Sequence, residues 1–381
     1  MRALIASLAG AALLSACGSA SAKPSPPATT PLAAGTAACL PSVSTAPAPA
    51  RLSAIQMVDP SHGWVVGGNS IFATRDGQHW TAAYRGAQEF VSIDFVSASV
   101  GWAVARNQLL GTIDGGNCWI VLGEPSQPLR SVHFADPAAG WGVVGGTMVT
   151  NARPGQGFNA PDNGGALVAT TDGGRTWSPV NAPANVQTVC FSDHQQGWLG
   201  TSDDAVYRSV DGGAHWSKSL TRPGHYPYNR TLVECADPHA AWADFEGGPA
   251  AAGHIPYIAY ATVDGSHWQT VLEEQMTEEM VAPNVPYGPG CYPGSFSVID
   301  PQDAAFVGDC AITSEARTVL AGDGGRTLTR TGAIGGATAT HGASFLSRQR
   351  GWVLAQRADN LYVIEATFDG GQTWSAQLTL P

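Results

Sequence analysis

The side chains best suited to chemistry crowd into one stretch of the chain's second half. Asp244, Glu246, Glu273, Glu274, Glu278 and Glu279 are carboxylates. Two carboxylates facing each other across a cleft at roughly 5–10 Å could hydrolyse a glycosidic bond. Nothing in the spacing fixes a facing pair, so the plainer expectation is loop acids in water. Around them lie His225, Tyr226, Tyr228, Arg230, His254, Tyr257, Tyr287 and Tyr292. With Glu246, Glu273 and Glu274 these are candidate partner contacts, since Tyr and Arg anchor interfaces and Tyr also suits stacking on a sugar. No catalytic motif of the Gly-x-Ser-x-Gly, His-Glu-x-x-His or phosphate-loop kind is present. His79, His215 and His267 recur at equivalent places instead of converging, and there is no Cys-x-x-Cys pair, so neither a metal nor a cofactor is expected. No residue is assigned a catalytic role.

The elements that must position these residues are repeats. A turn of the form "TTDGGRTW" occurs seven times, anchored on Asp76, Asp114, Asp172, Asp211, Asp264, Asp323 and Asp369. It closes on Trp80, Trp119, Trp177, Trp216, Trp268, Leu328 and Trp374. Ahead of each lies a second marker: Gly63-Trp64, Gly101-Trp102, Gly140-Trp141, Gly197-Trp198, Ala241-Trp242, Ala305-Phe306 and Gly351-Trp352. Each unit reads as four short strands, as in "VSIDF", "GWAVA", "QLLGTI" and "CWIVL". Radial repetition of such units predicts an all-β, seven-bladed β-propeller over 51–381. The Asp-Gly turn falls between the third and fourth strands. There the Asp accepts backbone N–H groups, the glycines adopt positive φ, and the aromatic packs between sheets.

The turn resembles the Asp-box, or BNR repeat, of sialidases, sortilin-like receptors, some glucanases and photosystem II assembly-factor propellers. The pairing of a Gly-Trp strand with the "DGGxTW" hairpin looks most like the assembly-factor type. The resemblance implies a structural box, remote from any active site. Sialidases clamp a carboxylate with three arginines, the first in an Arg-Ile-Pro motif. The nearest string here, His254 to Pro256, lacks the Arg, so a sialidase site cannot be assembled.

Composition bounds the rest. The chain has 381 residues, 44% hydrophobic and 13% charged, with 46 Gly and 12 Trp. Its net charge is −11, and Lys23 and Lys218 are its only lysines, so no basic stripe exists for nucleic acid. An apolar run from Leu4 to Leu14 leads into "LSAC" and Gly18, too short to span a bilayer as a stable helix. It resembles a bacterial lipobox, which implies a signal peptide over 1–16, lipidation of Cys17 and an extracytoplasmic, membrane-anchored monomer. Residues 17–50 are rich in Ala, Pro, Ser and Thr and read as a disordered tether. Six cysteines remain, and export favours disulfides. Sequence leaves the pairing open; Cys291–Cys310 and Cys190–Cys235 are the pairs we favour, with Cys39–Cys118 left over. The chain ends on an outer strand, so closing the ring is expected to draw on the segment before Arg51.

Loop length gives the functional expectation. Connections between second and third strands open on the same face as the links between blades. Four long ones, 151–165, 220–230, 244–257 and 272–294, fall on that face in consecutive blades three to six. Long loops on a rigid scaffold carry function. The expected protein is a non-catalytic scaffold or assembly factor that binds an envelope protein or glycan there. A glycoside hydrolase and a purely structural lipoprotein are the alternatives.

Overall fold

The chain forms seven four-stranded antiparallel sheets, each made of four consecutive strands. The structure, a computed structural model, describes residues 38–42, 51–123, 125–146, 163–222, 228–247, 255–274, 288–290, 292–309 and 315–381; six of these (228, 229, 274, 292, 293 and 309) are described by backbone alone. Blade one spans 52–85, two 90–121, three 129–179, four 186–221, five 228–274, six 292–333 and seven 337–380. The first strands of successive blades touch in a closed cycle, blade seven meeting blade one, so they line the axis of a seven-bladed β-propeller. The sole helical element among the described residues is a 3-10 turn at Asp323–Gly325.

Both sequence markers become legible once the blades are assembled. Gly101 opens the second strand of blade two opposite Phe95, and a Cβ there would lie 2.3 Å from the Phe95 ring. Glycine therefore makes room for the aromatic that ends the first strand. That aromatic stacks on the Trp of the preceding blade. Trp64 lies on Phe95, Trp102 on Phe134 and Trp141 on Phe191, each at 3.5 Å between ring centroids and within 5° of parallel. Where the first strand ends in Cys235 or Val298, the facing residue is Ala241 or Ala304. This register corrects the marker in blade six. Its equivalent pair is Ala304-Ala305, and Phe306 points back into the core shared with blade five.

The Asp-Gly turns clasp neighbouring blades. In blade three the Thr170 hydroxyl donates to Asp172 Oδ1 (2.8 Å) and accepts the Gly174 N–H (3.0 Å), while Asp172 accepts the N–H groups of Arg175 and Thr176. Gly173 and Gly174 sit at φ of 71° and 88°, a region where a side chain is strained. The closing aromatic then packs beneath the preceding blade: Trp119 joins the core of blades one and two, and Trp80 that of blades seven and one. The carbonyls of Gly115 and Gly173 accept the indole N–H of Trp64 and Trp102, both at 3.0 Å. In blade six Ala321 replaces the hydroxyl residue, and there the turn tightens into the 3-10 form with Asp323 at φ of 54°.

A second ring of contacts runs around the axis. The penultimate residue of each first strand reaches the last residue of the next blade's first strand. Gln56 accepts the Phe95 N–H (2.6 Å) and donates to its carbonyl (3.1 Å). Asp94 accepts the Phe134 N–H (2.7 Å), and His133 Nε2 lies 2.8 Å from the Phe191 carbonyl. Cys190 is bonded to Cys235. Glu234 accepts Val298 N–H (2.9 Å), Ser297 accepts Phe345 N–H (3.0 Å), and Ser344 accepts Met57 N–H (2.9 Å). Seven seams thus carry seven links.

Each described sheet keeps four consecutive strands, so no strand is exchanged among the described residues. Of the segment before Arg51 only residues 38–42 are described, and these do not bridge blades seven and one. Gln377, on the last strand, accepts the indole N–H groups of Trp80 (2.8 Å) and Trp352 (3.1 Å) and donates to the Gly77 carbonyl (3.1 Å). Residues 38–42 instead lie on the outer rim of blades one and two. Cys39 is bonded to Cys118, Leu40 N–H donates to the Trp119 carbonyl (2.8 Å), and Ser42 accepts the Arg85 N–H (3.1 Å).

Two substitutions and one control test this packing. Gly101→Ala drives a methyl into the Phe95 ring and should cost about 1–3 kcal/mol in urea unfolding, whereas Gly335→Ala, whose nearest neighbour is 3.4 Å away, should stay within about 0.5 kcal/mol. Thr170→Val strips the buried Gly174 N–H of its acceptor and should cost about 1–3 kcal/mol by the same measurement.

Candidate functional site

The turns between first and second strands share one end of the ring with the Asp-Gly turns. The opposite end carries the connections between second and third strands and the links between blades. Of the candidate contacts, His225, Tyr226, His254 and Tyr287 lie outside the described residues, as do Glu278, Glu279, Cys17 and the Cys291–Cys310 pair. Tyr228, Glu274 and Tyr292 are described by backbone, and all three end or begin strands at the loop end of the ring. Arg230, Glu246, Tyr257 and Glu273 are described in full and converge on blade five.

Blade five's strands run further toward the loop end than the sequence suggested. Its second strand is Ala241–Gly247 and its fourth Gln269–Glu274. Asp244, Glu246 and Glu273 are therefore strand residues, each 2% exposed, and not loop acids in water. The string "AWADFEG" alternates. Trp242 packs with blade six and Phe245 with blade four, so Asp244 and Glu246 face blade six with Trp242.

The seam between blades five and six is a ladder of polar rungs. On the top rung Arg230 pairs with Glu246 and Glu246 with Tyr257 in register. Arg230 Nη1 is 3.2 Å from Glu246 Oε2, with the arginine side chain 23% exposed. The buried Tyr257 hydroxyl donates to the Gly290 carbonyl at 2.8 Å, tying the approach to blade six onto blade five. One rung below, Asp244 sits opposite Leu232 and Ala259, and its Oδ1 has no hydrogen-bond partner among the described residues. On the third rung Glu234, opposite Trp242, holds the Val298 N–H. Burial, then the nearby Glu246, holds the Asp244 carboxyl well above the carboxylate range, with Arg230 opposing. Burial also raises Glu246 against the same arginine, and pushes Glu234 up to about 7.

Glu273 lies on the other side of the sheet. It pairs with Ile258, which packs toward blade four together with Tyr260. Burial pushes the Tyr260 hydroxyl up to about 12, Arg222 pulling it down and Glu273 pushing it up. Arg222 Nη2 in turn is 3.8 Å from Asp204 Oδ2. Asp244 and Glu273 are thus separated by the thickness of the sheet and cannot face each other across a cleft. Among the described residues no three His, Cys, Asp or Glu side chains converge as metal ligands. His79, His215 and His267 each hold the acid of their own turn, Asp76, Asp211 and Asp264, at 2.6–2.7 Å.

Sequence reasoning missed Glu234, Asp204, Arg222 and Tyr260. The first was discoverable only from the register of the axial links. The alternation in "AWADFEG" was a signal that Asp244 and Glu246 share one face of a strand.

The fold defines the class: a seven-bladed propeller of four-stranded blades. Solved structures similar to the chain include YCF48 bound to a D1 peptide (TM-score 0.54, 16% identity, covering 90% of this chain and 99% of that one). YCF48 from Cyanidioschyzon merolae is similar at TM-score 0.52 and 18% identity, covering 86% and 95%. The GH74 xyloglucanase from Xanthomonas campestris is similar at TM-score 0.61 and 12% identity, covering 86% of this chain and 54% of the xyloglucanase, about half its length. At these identities the likeness is one of fold. No family model matches the chain, and no curated protein matches it.

A pH-dependent stability follows from Glu234. Its folded carboxyl is raised, so its contribution is fully present below the ordinary value of 4.5 and is lost as pH rises through about 7. Glu234→Gln keeps an acceptor for Val298 and cannot ionise. It should be more stable than the parent at pH 8, on the order of 1–2 kcal/mol given residual hydration at the axis, and nearly equal at pH 5, by urea unfolding at both pH values.

Proposed function

We propose that this chain is a non-catalytic binding propeller that takes a protein segment across the loop end of blades three to six. One observation carries the reading. Of the described acids of blade five, Asp244 and Glu246 are buried on one face of the sheet and Glu273 on the other, so Asp244 and Glu273 do not face each other beneath the long loops. The fold likeness to YCF48 bound to a D1 peptide supports a polypeptide as the partner. In this reading the seven turns are Asp-boxes with a structural role, and a lipid on Cys17 holds a single ring outside the cytoplasm through the 17–50 tether. An envelope scaffold or assembly factor is the role that fits.

Affinity capture from native membranes tests it. The tagged chain should retain a partner protein that is lost when residues 276–286 are replaced by a short Gly-Ser linker. Cys17→Ser should move the chain from the membrane to the soluble fraction. Equal capture by both forms, or reducing-sugar release from xyloglucan by the purified chain, would contradict the binding reading and favour a hydrolase.

A further inference from the structure

The blade five–six seam gives the partner a chemistry, and this step rests on the peptide-binding reading above. Asp244 and Glu246 stand on adjacent rungs of one strand face, and Arg230 of the first strand pairs with Glu246 on the rung nearer the loop end. Asp244 is 2% exposed, and its Oδ1 has no hydrogen-bond partner among the described residues. A buried acceptor left unmade is costly, and native interiors rarely tolerate one without a purpose. Among the described residues, no donor reaches Asp244 Oδ1. A metal ion is a poor candidate, because no three acidic, His or Cys ligands converge among the described residues and Arg230 already holds Glu246. A long basic side chain needs only one or two acceptors at its tip and an apolar wall for its stem. Leu232, Ala259 and the Tyr257 ring supply that wall on the same face. Arg230 remains partly exposed and marks the side from which the seam is reached.

We propose that Asp244 and Glu246 form a recognition pocket for an arginine or lysine side chain of the partner polypeptide, entered beside Arg230 at the loop end of the blade five–six seam. The incoming cation donates to Asp244 Oδ1, while Glu246 stays paired with Arg230. Specificity then lies in blade five, and the neighbouring long loops supply area.

The test uses a random heptapeptide library displayed on phage and selected on the immobilised intact chain. Selected peptides should carry Arg or Lys at a shared position. Replacing that residue by citrulline should weaken binding on the order of tenfold or more, and Asp244→Asn should weaken the parent peptide by a similar factor while leaving citrulline-peptide binding unchanged. The peptide substitution leaves the protein intact, so a folding defect cannot mimic the effect. Selected peptides without a shared basic residue, or with binding indifferent to both changes, would overturn the pocket and leave peptide binding standing. Failure to enrich any peptide would overturn the peptide-binding reading and the pocket with it.

Discussion

Every blade of this ring begins with a strand whose free edge faces the axis. A sheet edge presents N–H and C=O groups that need partners, and an unprotected edge invites pairing with another chain. Here the need is met from the side. Gln56, Asp94, His133, Cys190, Glu234, Ser297 and Ser344 each engage the next blade's first strand, by hydrogen bond or disulfide. The same contacts that satisfy an edge join two blades. Because the cycle returns from Ser344 to Met57, the ring is closed without strand exchange, and the Gln377 amide finishes the outer side of that last seam.

Much of this was legible in the sequence. All twelve tryptophans fall in the two repeated markers, which fixed blade number, strand count and the place of the Asp-Gly turns. The reason is physical: a Trp of the second strand and an aromatic after the Asp-Gly turn fill the space between sheets at nearly every seam, stacked on Phe at three of them. The axial links were not legible, because seven different solutions built from Gln, Asp, His, Cys, Glu and Ser meet one geometric demand. Only register shows that they are equivalent. The slip in blade six has the same origin. With Val298 in place of Phe, the facing position no longer needs Gly and holds Ala304, while Ala305 stands where the other six blades carry Trp.

Those candidate residues that are described lie deeper than their sequence context suggested. Arg230, Glu246 and Glu273 read as parts of long connections, yet the strands of blade five extend through all three. Extension buries them, and alternation then divides the acids between two seams. That division separates Asp244 from Glu273 and gathers Asp244, Glu246 and Glu234 on the blade-six side, beside the partly exposed Arg230. The two ends of the ring therefore differ in kind. At the Asp-Gly end, acids are consumed by their own turns, as Asp172 is by the N–H groups of Arg175 and Thr176. At the loop end, blade five keeps an acid with an acceptor to spare.

Hydrogen–deuterium exchange with and without a selected heptapeptide tests the central claim most directly, since amide protection reports which end of the ring is covered. A partner seated at the loop end should slow exchange at the loop-proximal ends of strands in blades three to six, including Tyr228–Cys235 and Ala241–Gly247. Exchange in the Asp-Gly turns should be unchanged. Protection centred on those turns, or on blades one, two and seven, would contradict the assignment of the binding face.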